Sequence, residues 1–183
     1  MRTALPLLVL ALSLSGIVGC SSKPPAEWAS GGARLALGSA IWKLGEDDVT
    51  MDRSGRVVMA GDTQFSIDVA GRVYDDDGDP AAVLLPDGNV VGNDNVHLGR
   101  VGVTNASPPG AEAAWLSLSP GGDVILFDSD GARRSGGRWT GCTGAVLRTC
   151  TLVTHLVALS RAAAQHNRMH GGVGVGVGMG MYR

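Results

Sequence analysis

The chain has 183 residues, of which 15 are Lys or Arg and 17 are Asp or Glu. This near balance of charge argues against a nucleic-acid-binding protein, which would carry a basic patch or stripe. Asp is far more frequent than Glu, at 14 against 3, and there are 28 Gly residues. Because Asp and Gly favour turns whereas Glu favours helices, the composition predicts one mainly β domain with many short strands.

The first 19 residues have the layout of a secretory signal peptide. Arg2 supplies a positive charge, and a mostly apolar run of about 15 residues extends from Ala4 to Val18. This run is shorter than the roughly 20 apolar residues that a transmembrane helix needs. We therefore predict that residues 1–19 are a cleaved leader.

The end of the leader carries a more specific motif. Ile17-Val18-Gly19-Cys20 resembles the lipobox of bacterial lipoproteins at each of its positions. The resemblance implies cleavage before Cys20, a diacylglyceryl thioether on its sulfur, acylation of the new amino group, and a place in the bacterial cell envelope. No cofactor besides this covalent lipid is predicted. In Gram-negative lipoproteins, Asp after the lipidated Cys favours the inner membrane. This chain has Ser21 at that position, so the resemblance implies the outer membrane. Since two or more acyl chains anchor a protein stably, a membrane is the first predicted partner.

Residues 20–34 mix Ser, Pro, Gly and Ala with little apolar periodicity. This composition predicts a flexible to semi-rigid tether. Fully extended, it would reach at most roughly 45 Å from the membrane. The folded domain is predicted to follow, over residues 35–165.

One short pattern recurs within this domain: an apolar residue, three turn residues, Gly, any residue and Val. Its glycines are Gly55, Gly71, Gly88 and Gly122. In a β-hairpin with a type I turn followed by a bulge, Gly takes the position with positive φ. We predict positive φ at all four glycines and an antiparallel meander of about eight strands, forming an open sheet, a small sandwich or a barrel.

The last regular element differs in kind. Leu152, Leu156, Leu159 and Ala163 fall at helical spacing. We predict a helix over residues 145–165 whose apolar side packs on one face of the sheet. After it, Gly alternates with apolar residues from Gly171 onward, and ordering so many glycines is costly. Residues 166–183 are therefore predicted to be a mobile tail.

Cys142 and Cys150 remain as a pair if Cys20 carries a lipid, and exported proteins keep disulfides. On one straight helix their Cα atoms would be about 12 Å apart, beyond the roughly 7 Å that a disulfide spans. We predict a Cys142–Cys150 disulfide in which Cys142 precedes the helix, where Gly141 and Gly144 permit the chain to fold back.

The acidic run from Asp75 to Asp79 is a candidate calcium site. When Gly78 is aligned with the glycine of an EF-hand loop, Val73 and Leu84 occupy the first and last ligand positions. Neither side chain offers an oxygen. We therefore predict solvated turn carboxylates at this run and no metal site.

His155 is the candidate general base if the protein is a hydrolase. The chain contains neither a Gly-x-Ser-x-Gly elbow nor a His-Glu-x-x-His helix, so we predict no catalytic residue. The favoured interpretation is a non-enzymatic envelope module that binds a protein or a glycan, with the loop from Thr104 to Ala111 as its contact surface. A cell-envelope hydrolase using His155 and a carrier of an apolar ligand are the alternatives.

Overall fold

The computed structural model describes residues 22–45 and 47–169, so the predicted leader and the predicted lipidation site Cys20 lie outside the described residues. The predicted tail falls mostly outside them too, because the description ends at Met169. Twelve strands are followed by one helix: β1 (Ala40–Leu44), β2 (Asp47–Met51), β3 (Arg56–Met59), β4 (Asp62–Ile67), β5 (Arg72–Tyr74), β6 (Pro80–Leu84), β7 (Asn89–Gly92), β8 (His97–Val101), β9 (Asn105–Ser107), β10 (Leu116–Leu118), β11 (Asp123–Phe127), β12 (Arg133–Thr140) and α1 (Leu147–Met169). Two short 3₁₀ turns lie at Asn93–Asn95 and Gly144–Val146.

The strands form a closed antiparallel barrel. Each strand pairs with its neighbours in sequence, and β1 pairs with β12 to close the ring. Trp42 of β1 lies opposite Trp139 of β12 at this closure, and their rings stack with centroids 5.7 Å apart. The predicted fold class is confirmed, and of the three predicted sheet forms the barrel is the one that occurs.

The predicted number of strands was too low. Four repeat units account for about eight strands, whereas twelve are present. The strands that close the barrel lie outside the repeat, and β12 contains Gly136 and Gly137, which give it weak intrinsic strand propensity. Its ladders to β1 and β11 compensate for that weakness.

The four repeat glycines have the predicted conformation. Gly55, Gly71, Gly88 and Gly122 have φ values of 86°, 73°, 93° and 90°. In each turn the glycine amide donates a hydrogen bond to the carbonyl oxygen three residues earlier, at 2.9 to 3.1 Å. The prediction of positive φ at these hairpin turns is confirmed.

The same glycines also connect each hairpin to the next one. The carbonyl oxygen of Gly122 accepts a hydrogen bond of 2.8 Å from the amide of Trp139, and that of Gly55 accepts one of 2.9 Å from Ile67. A Cβ atom on either glycine would collide with the carbonyl oxygen of the residue that it faces. The repeat therefore needs Gly for close backbone approach as well as for positive φ.

The helix begins and ends later than predicted. Its predicted packing against the sheet is confirmed, but the packing involves more than the one apolar side that the spacing predicts. All nine residues of 149–157 are buried, on every side of the helix. A helix that is buried all round lies inside a core, and here the closed barrel surrounds it. Its side chains join those of the strands in one hydrophobic cluster. No helix within the described residues is both long enough and apolar enough to cross a bilayer.

The two ends of the barrel can be told apart by the course of the chain. The upper rim consists of the turns that follow β2, β4, β6, β8 and β10, and the lower rim of those that follow the odd-numbered strands up to β11. The helix follows β12 and starts at the upper rim, where Arg148 Nη2 lies 3.5 Å from the Val101 carbonyl oxygen. It runs through the barrel towards the lower rim, where Arg161 pairs with Asp47 at 2.9 Å.

Residues 22–34, which the sequence predicts to be a tether, pack on the barrel instead. We call residues 22–35 the N-terminal strap. Ala33 and Leu35 are only 3% and 5% exposed, and Arg72 donates hydrogen bonds to the carbonyl oxygens of Trp28 (2.7 Å) and Ala29 (3.0 Å). Composition predicted flexibility here because Pro, Ser and Gly lack periodicity. Composition gives no sign of the hydrogen bonds by which Arg72 and the backbone carbonyl groups of the barrel hold this segment.

Candidate functional site

His155 lies in the middle of the buried part of the helix and is 0% exposed. Its Nδ1 accepts a hydrogen bond of 3.0 Å from Trp115 Nε1, because an indole N–H can only donate. Nε2 therefore carries the proton and donates to the Leu98 carbonyl oxygen at 2.7 Å. Burial lowers the pKa of His155 to about 4, so the imidazole is neutral at pH 7.

The threonines of the helix bond to the surrounding wall in the same way. Thr154 Oγ1 accepts a hydrogen bond of 2.9 Å from Trp139 Nε1. Thr149 and Thr151 donate to the carbonyl oxygens of Ala36 (2.7 Å) and Val103 (2.8 Å). The buried polar side chains thus fix the helix in the barrel, and their hydrogen-bonding groups point to partners within the protein.

The predicted disulfide is present and joins Cys142 to Cys150. The Cα atoms are 6.1 Å apart, within the range that a disulfide requires. Cys142 lies before the helix, and Gly141 and Gly144 on either side of it have φ values of 91° and 56°. Since the two cysteines are 1% and 0% exposed, the bond has a structural position, holding the start of the helix to the end of β12.

A groove of ≈ 430 Å³ opens on the outside of the barrel, between the turn after β6 and the loop after β9. Its polar lining includes Asp87, Arg100, Asn105, Ser107 and Glu112. Arg100 donates to the Asp87 carbonyl oxygen at 3.1 Å, which leaves its positive charge uncompensated by that contact. The groove therefore offers a cation, two carboxylates, an amide and a hydroxyl, a set suited to a polar partner.

The loop after β9 forms one side of this groove. Ser107 Oγ donates a hydrogen bond of 3.1 Å to the Glu112 carbonyl oxygen, which draws the loop back on itself. Asn105, Ser107 and Ala111 belong to the stretch that the sequence predicts as a contact surface. Sequence reasoning missed Asp87 and Arg100. The meander itself could have indicated them, since β6 to β9 must be spatial neighbours.

The acidic run after β5 forms the same kind of turn as the repeat. Asp75 Oδ1 accepts hydrogen bonds from the amides of Asp77 (3.1 Å) and Asp79 (2.8 Å). Asp52 accepts equivalent bonds in the turn after β2, and the Ser54 hydroxyl is the main reason why its pKa lies below the usual value. These carboxylates stabilise turns. Within residues 22–45 and 47–169, no group of three or more potential ligands could hold a metal ion.

Charge is distributed unevenly between the two ends. The turns of the lower rim carry most of the exposed carboxylates, whereas the upper rim carries exposed arginines. The lower-rim acids are Asp62, Asp75, Asp76, Asp77, Asp79, Asp94, Asp128 and Asp130, of which Asp75 and Asp128 are half-buried. The lower rim also has the exposed Arg133 and Arg134, and the upper rim has the exposed Asp87 beside Arg34, Arg53 and Arg100. The barrel therefore has an excess of acidic groups below and an excess of basic groups above.

Comparisons of the chain with protein-family models, with curated proteins and with solved structures give no match.

Proposed function

We propose that this chain is a lipid-anchored protein of the bacterial cell envelope whose barrel is a non-enzymatic binding or structural module. The anchor is the lipid on Cys20 that the lipobox resemblance implies, with the outer membrane favoured by Ser21. The partner is an envelope protein or a glycan held in the groove lined by Arg100 and Asn105. No nucleic acid is involved.

The binding role is supported by the positions of the polar side chains, which are exposed in the groove and bonded within the protein inside the barrel. The barrel's interior holds a helix whose buried polar side chains bond to the wall. The groove instead presents Asp87, Arg100 and Glu112 to solvent. A polar groove on the outer wall fits a hydrophilic partner, since pockets for small apolar ligands are lined mostly by apolar side chains.

The hydrolase alternative would need His155 to take a proton from a bound substrate. Its two ring nitrogens are 3.0 Å and 2.7 Å from Trp115 Nε1 and the Leu98 oxygen. A general base must be within hydrogen-bond reach of the reacting group. His155 could reach one only if the helix left its position, so the binding role is the better supported.

The carrier alternative would need an apolar ligand inside the barrel. There the helix residues Leu152, Val153 and Leu156 already pack against the strands, each no more than 1% exposed. A ligand could enter only by displacing them. The groove on the outer wall is polar, which also does not suit an apolar ligand.

Crosslinking in cells tests the binding role. A photoreactive amino acid at Asn105, exposed in the groove, should give a defined adduct with an envelope protein or glycan. The matched control carries the same group at Ile41, which is 43% exposed on β1, and should not give that adduct. Arg100→Ala, combined with the Asn105 probe, should weaken it. The same adducts from both sites, or none from Asn105, would contradict the proposal.

A further inference from the structure

The N-terminal strap is bonded to the lower rim at its beginning. The amide of Lys23 donates to Asp94 Oδ1 (3.1 Å), and its carbonyl oxygen accepts from the Asp94 amide (2.8 Å). The amide of Ala26 donates to Asn95 Oδ1 at 2.9 Å, and Asn93 Nδ2 donates to Ser22 Oγ at 3.0 Å. Four hydrogen bonds therefore hold residues 22–26 at the turn after β7.

From there the strap follows the outside of the barrel to the other end. The ring of Trp28 packs edge-on against Tyr74, with centroids 4.9 Å apart. At the upper rim the amides of Gly32 and Ala33 donate to the carbonyl oxygens of Ala70 and Leu84, both at 2.6 Å. The strap is therefore docked from the lower rim to the upper rim, beginning at Ser22.

The free chain between the strap and the anchor is short. Cys20 precedes Ser22 by two residues, which span at most about 7 Å. The barrel between its rims is longer than this, since strands of five residues extend about 17 Å before tilt. While the strap stays docked, an anchor at Cys20 therefore keeps the lower rim at the bilayer and excludes the inverted orientation, in which the upper rim faces the lipid and the lower rim is the far end.

We propose that the barrel stands end-on on the membrane, with the acidic lower rim facing the lipid headgroups and the basic upper rim turned away. This inference rests on the proposed lipid anchor. The orientation is set by the docked strap and not by charge, because the acidic turns after β5, β7 and β11 offer anionic lipids no attraction. The exposed arginines Arg34, Arg53 and Arg100 then face the aqueous side.

Relaxation enhancement by a paramagnetic lipid measures this orientation. The chain from Cys20 to Arg183 has one thiol outside the disulfide, and it can be coupled at Cys20 to a maleimide phospholipid in phosphatidylcholine nanodiscs. Lipids with a paramagnetic headgroup should abolish the amide signals of Gly78 and Gly131 at the lower rim. The signals of Gly55 and Gly122 at the upper rim should persist. Equal losses at the two rims, or the reverse pattern, would overturn the proposal.

A variant with a weakened strap tests whether the docked strap sets the orientation of the barrel. Asp94→Gly with Asn95→Gly removes both side-chain acceptors while suiting φ values of 55° and 59°, and Arg72→Gln removes the middle contacts. In this triple variant the difference between the rims should vanish. Asp130→Asn removes a lower-rim charge in the turn between β11 and β12, away from the strap, and keeps the acceptor for the Ala132 amide. This control should retain the difference. A difference that persists in the triple variant would refute the strap as the cause.

The lipid in this design is supplied chemically. A failure of the orientation is therefore distinguishable from a failure of the proposed lipidation, which is judged by the mass of the native protein.

Discussion

The interior of the barrel depends on individual buried polar residues, of which His155 is the most demanding. A buried donor or acceptor without a partner destabilises the fold by about 1–3 kcal/mol. His155 avoids this because Trp115 donates to one ring nitrogen and the Leu98 carbonyl oxygen accepts from the other. The pairing requires the neutral imidazole, so protonation must disrupt it.

We predict that His155 makes the protein less stable in acid. Its pKa is about 4 in the folded state, against an ordinary value of 6.5. Between these values the unfolded chain binds the proton and the folded chain does not, so stability falls as the pH drops from about 6.5 to 4. The loss should reach about 3 kcal/mol, measured by urea unfolding across this range.

His155→Gln is the control for that experiment, because it retains the carboxylates that also titrate in acid. The variant should be less stable than the native protein at pH 7, and its stability should fall less steeply below pH 6.5. Parallel stability curves for the two proteins would show that His155 does not cause the loss.

Two turn glycines separate the effect of close backbone approach from that of positive φ. Gly122 and Gly131 have φ values of 90° and 80°, so Ala is strained at either position by about 1–2 kcal/mol. A Cβ on Gly122 would meet the Trp139 carbonyl oxygen, whereas one on Gly131 would meet no atom within 4 Å. Gly122→Ala should therefore lower the free energy of unfolding by about 1–3 kcal/mol more than Gly131→Ala. Equal losses in chemical denaturation would contradict the account of the repeat.

At the level of elements, the sequence predicts the parts that depend on local signals. The glycines of the repeat mark their turns because a turn residue and its conformation lie in one short stretch. The disulfide was also predictable, since Cys142 and Cys150 are the pair that remains if Cys20 carries a lipid. The distance along a helix then required Cys142 to precede the helix. The run of apolar residues located the helix to within a few residues at either end.

What the sequence could not supply are contacts between distant elements. The spacing of Leu152 and Leu156 predicts an apolar side but not a barrel around the helix. One sign of the surrounding barrel was present in the sequence, namely four polar residues among the apolar ones of the helix. These residues, Thr149, Thr151, Thr154 and His155, need hydrogen-bond partners when they are buried. The docking of the strap depends on Arg72 and Asn95, which no local pattern connects with residues 22–29.

The Cys142–Cys150 disulfide should stabilise the domain by fixing the first turns of the helix. For a loop this short, the chain-entropy model gives roughly 2–3 kcal/mol. Cys142→Ala with Cys150→Ala should lower the free energy of unfolding by this amount. Because the cysteines are 1% and 0% exposed, a reductant should reach the bond only after unfolding. Thiol titration of the unfolded, unreduced chain that finds both thiols free would show that the bond is absent in the protein.

At the scale of the whole molecule, the course of the chain would couple the barrel to the proposed anchor. The strap begins at the lower rim and crosses to the upper rim before β1, and the helix returns through the centre to the lower rim. Both ends of the described chain therefore lie at the acidic rim. An anchor close to Ser22 would leave the basic rim, with Arg34 and Arg53, accessible to partners in the envelope.

This account depends most directly on the proposed lipid at Cys20, which intact mass spectrometry of the protein extracted from membranes can test. The expected mass is that of a chain beginning at Cys20, without residues 1–19, increased by a diacylglyceryl group and a further acyl chain. Cys20→Ala should remove this increase and release the protein from the membrane fraction. A membrane-derived chain with an unmodified cysteine at its N-terminus, or one that retains its leader, would contradict the account.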